Sequence, residues 1–290
     1  MQQTWLLCFA LAPLLTACVS DQQFHMDQDV PAPLEEDTAP PVEPPPDVPV
    51  AVCSVSPNPV TPPFEEARWD GRDSYDPNGF EIVEYAWTLA SQPEGSAIRM
   101  PPGASAVRDG FVPDLAGEYI GQLVVTNDNG DVSEPCLVTL ESIPAENLWV
   151  EMYWDIPADD MDLHLLKPGG SLESNGDCYY ANCVNNSPDW GDRNNAADDP
   201  SLDLDDIPLT GPENINILQP EPGDFTVYVH DYTGSNWGVS NADTRAANNV
   251  TVNVYLNGSM VWTNTKGISG DDTYTPFCRI NWETGVVTTM

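Results

Sequence analysis

Asn147-Leu148-Trp149-Val150-Glu151-Met152-Tyr153-Trp154 alternates with a period of two: Leu148, Val150, Met152 and Trp154 on one side, Trp149, Glu151 and Tyr153 on the other. Successive side chains of an extended chain point to opposite faces, so the stretch reads as a strand with one row available to a core. Met161 to Leu166, Phe225 to Asp231 and Val250 to Leu256 carry similar two-residue patterns, and Cys278-Arg279-Ile280-Asn281-Trp282 closes as a further strand. Asn257-Gly258, set between Val254-Tyr255-Leu256 and Ser259-Met260-Val261-Trp262, is a hairpin signal of the type I′ kind, because both central residues of that turn need a positive φ. Residues 147–290 therefore read as a β-sandwich, interrupted by a polar insertion from Gly169 to about Gly211. Structureless loops of that length are uncommon in compact domains unless they are functional or disordered.

Upstream, residues 51–143 give a second sandwich, so the fold class is all-β with two sandwich domains. From Cys53 to Ser142 the apolar runs are short and no long segment carries a helical period. Ile82 to Trp87 and Tyr119 to Val125 read as strands, with tight turns at Asp76-Pro77-Asn78-Gly79 and Asn127-Asp128-Asn129-Gly130. Farther upstream, Val19 to about Val50 is acidic and proline-rich. Prolines stiffen a chain toward polyproline II and like charges keep it extended and unpacked. At about 3.1 Å per residue its 32 residues span roughly 100 Å, a tether or stalk for the two sandwiches.

Nine basic against 46 acidic residues give a formal net charge of −37. Nucleic acid is an improbable partner, since phosphate binding needs clustered Lys and Arg. Three readings account for the acidity: solvation of an exposed surface, divalent-cation binding, or adaptation to a saline medium. No apolar stretch after Cys18 is long enough for a transmembrane helix.

Seven cysteines suit an oxidising compartment. Cys53 and Cys136 bracket the first sandwich, where a bridge ties its first strand to its last. Cys178 and Cys183, in Cys-Tyr-Tyr-Ala-Asn-Cys, are spaced for a small loop staple. Cys278 is then odd: it is a buried free thiol or the partner of one of the loop cysteines, and spacing alone leaves both open.

Parts of the chain resemble known families. Leu15-Thr16-Ala17-Cys18, after the apolar run Trp5 to Leu15, resembles a bacterial lipobox, although Met1-Gln2-Gln3-Thr4 lacks the usual basic residues. The resemblance implies a signal peptide over 1–17, lipidation of Cys18, and a linker over 18–50 held to the membrane by acyl chains. Val19, rather than Asp, after that cysteine resembles the pattern of outer-membrane lipoproteins. Trp69-Asp70-Gly71-Arg72-Asp73-Ser74-Tyr75-Asp76-Pro77-Asn78-Gly79 with Tyr85-Ala86-Trp87, then Phe111 to Tyr119 and Val124 to Gly130, resembles a PKD-type immunoglobulin-like domain, without the Gly-Asp-Gly turn common after its tryptophan. Asp160-Met161-Asp162-Leu163-His164-Leu165-Leu166-Lys167-Pro168-Gly169-Gly170 is similar to a strand-turn of secreted bacterial DUF2135-like, or YfaP-like, sandwiches. Cys178 to Cys183, Asp198 to Asp203, Gly211 to Ile215 and Tyr228-Val229-His230 extend that likeness, which implies a jelly-roll-like sandwich with elaborated loops and an exported location.

Acidic clusters bracket the insertion: Asp159, Asp160 and Asp162 before it; Asp198, Asp199, Asp203, Asp205 and Asp206 at its far end. Calcium takes several oxygen ligands at once, and closely spaced Asp residues supply them. Asp160 with Asp162, and Asp203 with Asp205, fall on common sides of an extended chain. Asp160, Asp162, Asp199, Asp203, Asp205 and Asp206 are thus the candidate calcium ligands, against a plain solvated rim. Tyr179, Tyr180, Trp190 and Trp237 lie in polar, Asn-rich stretches and are candidates for stacking a glycan, against local packing that orders the loops. No Gly-x-Ser-x-Gly elbow, His-Glu-x-x-His or phosphate loop occurs. His164 and His230 both fall on strands, and His230 and Asp231, being adjacent, point to opposite faces. The expectation is a non-catalytic, membrane-tethered envelope module for adhesion or for binding a protein or glycan; the alternative is an envelope hydrolase or protease accessory subunit.

Overall fold

Trp69 is the centre around which the first sandwich closes. Its indole is fully buried, edge-on to Phe111 at 5.3 Å between centroids and tilted against Trp87 at 5.9 Å. One sheet is β1 (Ser54–Ser56), β2 (Ala67–Asp70) and β4 (Val107–Phe111), in the order β1-β2-β4. The other is β3 (Ile82–Ser91), β5 (Gly117–Asn127) and β6 (Cys136–Ser142), in the order β3-β5-β6. The long strand β5 sends Tyr119, Leu123 and Val125 into the core on alternate positions. Position 121 must be glycine, because a Cβ there would sit 2.4 Å from the Trp69 ring. The Cys53–Cys136 disulfide joins the start of β1 to the start of β6, tying one sheet to the other as the spacing suggested. The structure is a computed structural model that describes residues 47–157, 159–184, 188–206, 210–232, 247–269 and 272–290. The leader, Cys18 and most of the linker therefore lie outside the described residues.

The second sandwich has two five-stranded antiparallel sheets. One runs β10 (Ser201–Leu204), β11 (Glu213–Ile217), β7 (Leu148–Trp154), β13 (Asn248–Leu256), β14 (Ser259–Ile268). The other runs β16 (Val286–Thr289), β15 (Thr273–Asn281), β12 (Asp224–Asp231), β8 (Met161–Leu166), β9 (Asp177–Cys178). The architecture is all-β, as the sequence indicated. Leu148, Val150, Met152 and Trp154 of β7 face Met161, Leu163 and Leu165 of β8 within one core. The β13–β14 hairpin turns at Asn257 and Gly258, with φ of 50° and 77°, the pair of positive angles a type I′ turn requires.

The insertion is less irregular than its polarity suggested. It contains β9, the short helix α1 (Tyr180–Cys183) and the edge strand β10, with the Cys178–Cys183 disulfide spanning β9 and α1. Cys278 is the free, buried thiol of the two alternatives.

The second face of β7 is also buried. Trp149 packs with Ala116 of the first sandwich and Tyr255 of β13. Glu151, 1% exposed, accepts hydrogen bonds from the Ala116 amide, Trp149 Nε1, Asn253 Nδ2 and the Tyr255 hydroxyl at 2.9–3.2 Å. Burial pushes its carboxyl above the ordinary range even against those four donors, which hold it down. Gly95, at φ 84°, lies directly under the Tyr153 ring, where a Cβ would come within 2.3 Å. Pro45–Met290 accordingly forms one compact unit.

Candidate cation centre

β8 splits its residues by face. Met161, Leu163 and Leu165 enter the core, which leaves Asp162 and His164 on the outer side. All are buried, because the insertion folds over that outer face. His164 Nδ1 meets Asp177 Oδ2 of β9 at 2.8 Å, and its ring stacks on Tyr179 at 4.9 Å. The register of β12 places His230 between Asp162 of β8 and Tyr274 of β15. Its ring lies parallel to Tyr274 at 4.1 Å, with Nδ1 3.6 Å from Asp162 Oδ2 and Nε2 3.1 Å from Asp272 Oδ1. Burial pulls the imidazole down, but Asp162 and Asp272 outweigh it and the net shift is upward.

Glu213 comes from the opposite sheet. It opens β11, whose Ile215 and Ile217 point into the core, so the two-residue period turns Glu213 inward at the end of the sandwich. It is 1% exposed, and its Oε2 accepts the Leu163 amide at 2.8 Å across the two sheets. Asp205 follows the end of β10 and completes the group: one oxygen each from Asp162, Asp205 and Glu213 lies within 4.8 Å of the others. Glu213 Oε1, Asp162 Oδ2 and Asp160 Oδ1 are buried with no hydrogen-bond partner. Among the described residues, no Lys or Arg forms an ion pair with Asp160, Asp162, Asp205 or Glu213.

Such a group resists ionisation. Burial, reinforced by Asp162, Asp205, Asp159 and Asp206, pushes Asp160 up to about 7. Burial and then Asp162 hold Glu213 well above the glutamate range, and burial, Asp162 and Asp206 raise Asp205. A buried carboxylate without a partner must either keep a proton or gain a cation. The spacing suits an ion: oxygens on opposite sides of a calcium at about 2.4 Å each stand about 4.8 Å apart.

Of the predicted ligands, the structure brings together Asp162 and Asp205, with Asp160 electrostatically coupled to both. Asp206 Oδ2 accepts the Gly211 amide beside them. Asp203 and Asp205 do not share a side as expected. The pairing shifts register between Leu202 and Leu204 and the strand ends at Leu204, so Asp203 turns instead to Ser201, Asn214 and Asn216. Asp199 is not among the three carboxylates that converge; its Oδ1 accepts the Trp190 amide at 2.7 Å. Glu213, which sequence reading passed over, had a readable signal: an acid in phase with two core isoleucines.

The aromatic candidates divide in the same way. Tyr179 and Tyr180 contact each other edge-on, and Tyr180 contacts Tyr232, with Tyr180 and Tyr232 partly exposed. Trp190 does not belong to that surface. It is 1% exposed, packed on Phe225, with its Nε1 donating to Asn175 O, so neither ring face is open to a ligand. Trp237 lies outside the described residues.

No family model matches the chain, whether of the PKD-like or the DUF2135-like kind, and no curated protein matches it. A solved structure described as "Structural basis for the promiscuous specificity of the carbohydrate-binding modules from the beta-sandwich super family" aligns over 79% of this chain and 83% of its own length, at 13% identity and a TM-score of 0.27. A TM-score that low assigns neither a shared fold nor a shared ligand.

Proposed function

We propose that this chain is an exported, lipid-anchored, non-catalytic binding protein of the cell envelope whose distal sandwich holds a calcium ion at Asp162, Asp205 and Glu213. The observation that carries the reading is the pair of buried oxygens on Glu213 and Asp162 without a hydrogen-bond partner, converging with Asp205, with no Lys or Arg paired to them among the described residues and His230 Nδ1 3.6 Å from Asp162. Calcium would neutralise that convergence and pin β8, β11 and the end of β10 to one another. The two disulfides support an oxidising compartment. Anchoring through acyl chains on Cys18 and a position in the outer membrane rest on the lipobox-like residues alone. A binding role rather than catalysis is supported by the burial of both histidines, His164 at 0% and His230 at 3% exposure, away from solvent.

Calorimetric titration of the EDTA-stripped full chain with calcium chloride tests the centre. One site is expected in the parent protein, absent in Asp162→Asn and retained in Asp203→Asn. Equal binding in all three proteins defeats the assignment.

A further inference from the structure

The three carboxylates differ in one respect: Asp162 and Glu213 are buried, whereas Asp205 is exposed. On its buried side the centre is closed by the β8 and β11 backbones, through the Glu213–Leu163 bond. Its open side is therefore marked by Asp205. Asp205 also lines a cavity of about 330 Å³ between the two sandwiches, with Val112 and Pro113 on one wall and Leu204 and Pro212 on the other. That volume falls within the usual range for small-ligand sites, about 300–1,000 Å³. Calcium takes about six to eight oxygens, and one Glu213 oxygen is already committed to the Leu163 amide. With both oxygens of Asp162 and Asp205 and the one remaining on Glu213, the three carboxylates supply at most five, so among the described residues they leave about one to three positions unfilled, with Asp205 marking the side that faces the cavity.

We infer that a cation at this centre presents those positions to the cleft between the sandwiches and there holds a neutral carbohydrate through two adjacent hydroxyls. The inference rests on the cation reading proposed above. Adjacent hydroxyls supply paired oxygens of the hard kind calcium prefers. Val112, Pro113 and Pro212 offer apolar surface to the C–H face of a sugar ring. An anionic ligand is disfavoured: Asp114 and Asp206 also line the cavity, and the chain carries a formal charge of −37. This places recognition away from the Tyr179–Tyr180 surface, in a cleft to which both sandwiches contribute.

Terbium(III), a luminescent stand-in for calcium, tests the arrangement in the full chain, because its lifetimes in H₂O and D₂O count the water bound to the ion. About two or more coordinated waters are expected. Methyl α-mannoside, methyl β-galactoside or methyl α-fucoside displaces them, and cyclohexanol, with one hydroxyl, does not. Val112→Trp narrows the cleft and weakens the responding glycoside about tenfold or more while terbium binds as before. Leu204→Trp serves the same purpose from the other wall should the first variant melt early. Bound terbium without coordinated water, or water that none of the three glycosides displaces, overturns the inference and leaves the cation reading standing. Failure of both terbium and calcium to bind removes the cation reading, and this inference with it.

Discussion

Replacing Glu213 by Gln separates the two things that Glu213 does. The amide oxygen of Gln still accepts the Leu163 N–H, so the cross-sheet hydrogen bond survives while the charge goes. Two unit charges at 4.8 Å or less, as for the Asp162 and Glu213 oxygens, repel by at least about 3.5 kcal/mol at an effective dielectric constant of about 20. Without calcium, burial and Asp162 favour the protonated form of Glu213, which lessens that cost. Its folded pKa is raised, by burial first and by Asp162 next, so the stability it contributes is fully present below the ordinary glutamate value and lost as pH rises through the folded value. EDTA-stripped parent should therefore lose more melting temperature between pH 5 and pH 8 than stripped Glu213→Gln. Calcium reverses the order at pH 8. At a free concentration of about 100 Kd it stabilises the parent by about 2.7 kcal/mol, a rise of about 5–10 °C for a domain of this size. The variant should move by less than about 1 °C. Differential scanning calorimetry at matched ionic strength reads both effects. An equal calcium shift in parent and variant, or an identical pH dependence without calcium, refutes the reasoning.

The junction between the sandwiches and the buried Cys278 thiol give three further expected outcomes. Glu151→Ala leaves the Ala116 amide, Trp149 Nε1, Asn253 and Tyr255 without their shared acceptor; urea denaturation should show a loss of about 2–4 kcal/mol, and a loss under about 0.5 kcal/mol would mean the carboxylate is not holding the sandwiches together. Gly95→Ala meets both a φ of 84° and the Tyr153 ring, so its melting curve should fall and broaden into two steps as the sandwiches uncouple; one unshifted transition speaks against the packing. Burial pushes the Cys278 thiol up to about 12, so iodoacetamide at pH 8 should leave it unlabelled in the native protein and label it in urea; rapid native labelling contradicts its place in the core.

Much of this fold was legible because strands announce themselves by local alternation. The row Leu148, Val150, Met152 and Trp154 is the inward row of β7, and Asn257-Gly258 is the turn of the β13–β14 hairpin. Both are short-range facts, decided within a few residues of chain. β10 was not legible, because Ser201-Leu202-Asp203-Leu204 offers only two apolar positions amid acids and gains its pairing from β11, an element nine residues on. The cation centre was half legible for a related reason. A run of acids reveals that carboxylates are concentrated, but not which of them an irregular register will turn away. Asp203 was lost to the shift at Leu202 and Leu204, and Asp199 is not among the converging three, its Oδ1 accepting the Trp190 amide. Glu213 was missed because its partners, Asp162 and the Leu163 amide, lie some 50 residues away in the other sheet. The second row of β7 shows the same limit from another side: nothing local says that Trp149 and Glu151 are covered by Ala116 of the first sandwich.

The most direct measurement is an anomalous difference map from crystals of the full chain grown in calcium and recorded at long wavelength. A single strong peak is expected about 2.3–2.6 Å from oxygens of Asp162, Asp205 and Glu213, with its remaining contacts on the cleft side. Crystals whose only calcium peaks lie elsewhere, with Asp162 and Glu213 still facing each other across an empty gap, would contradict it.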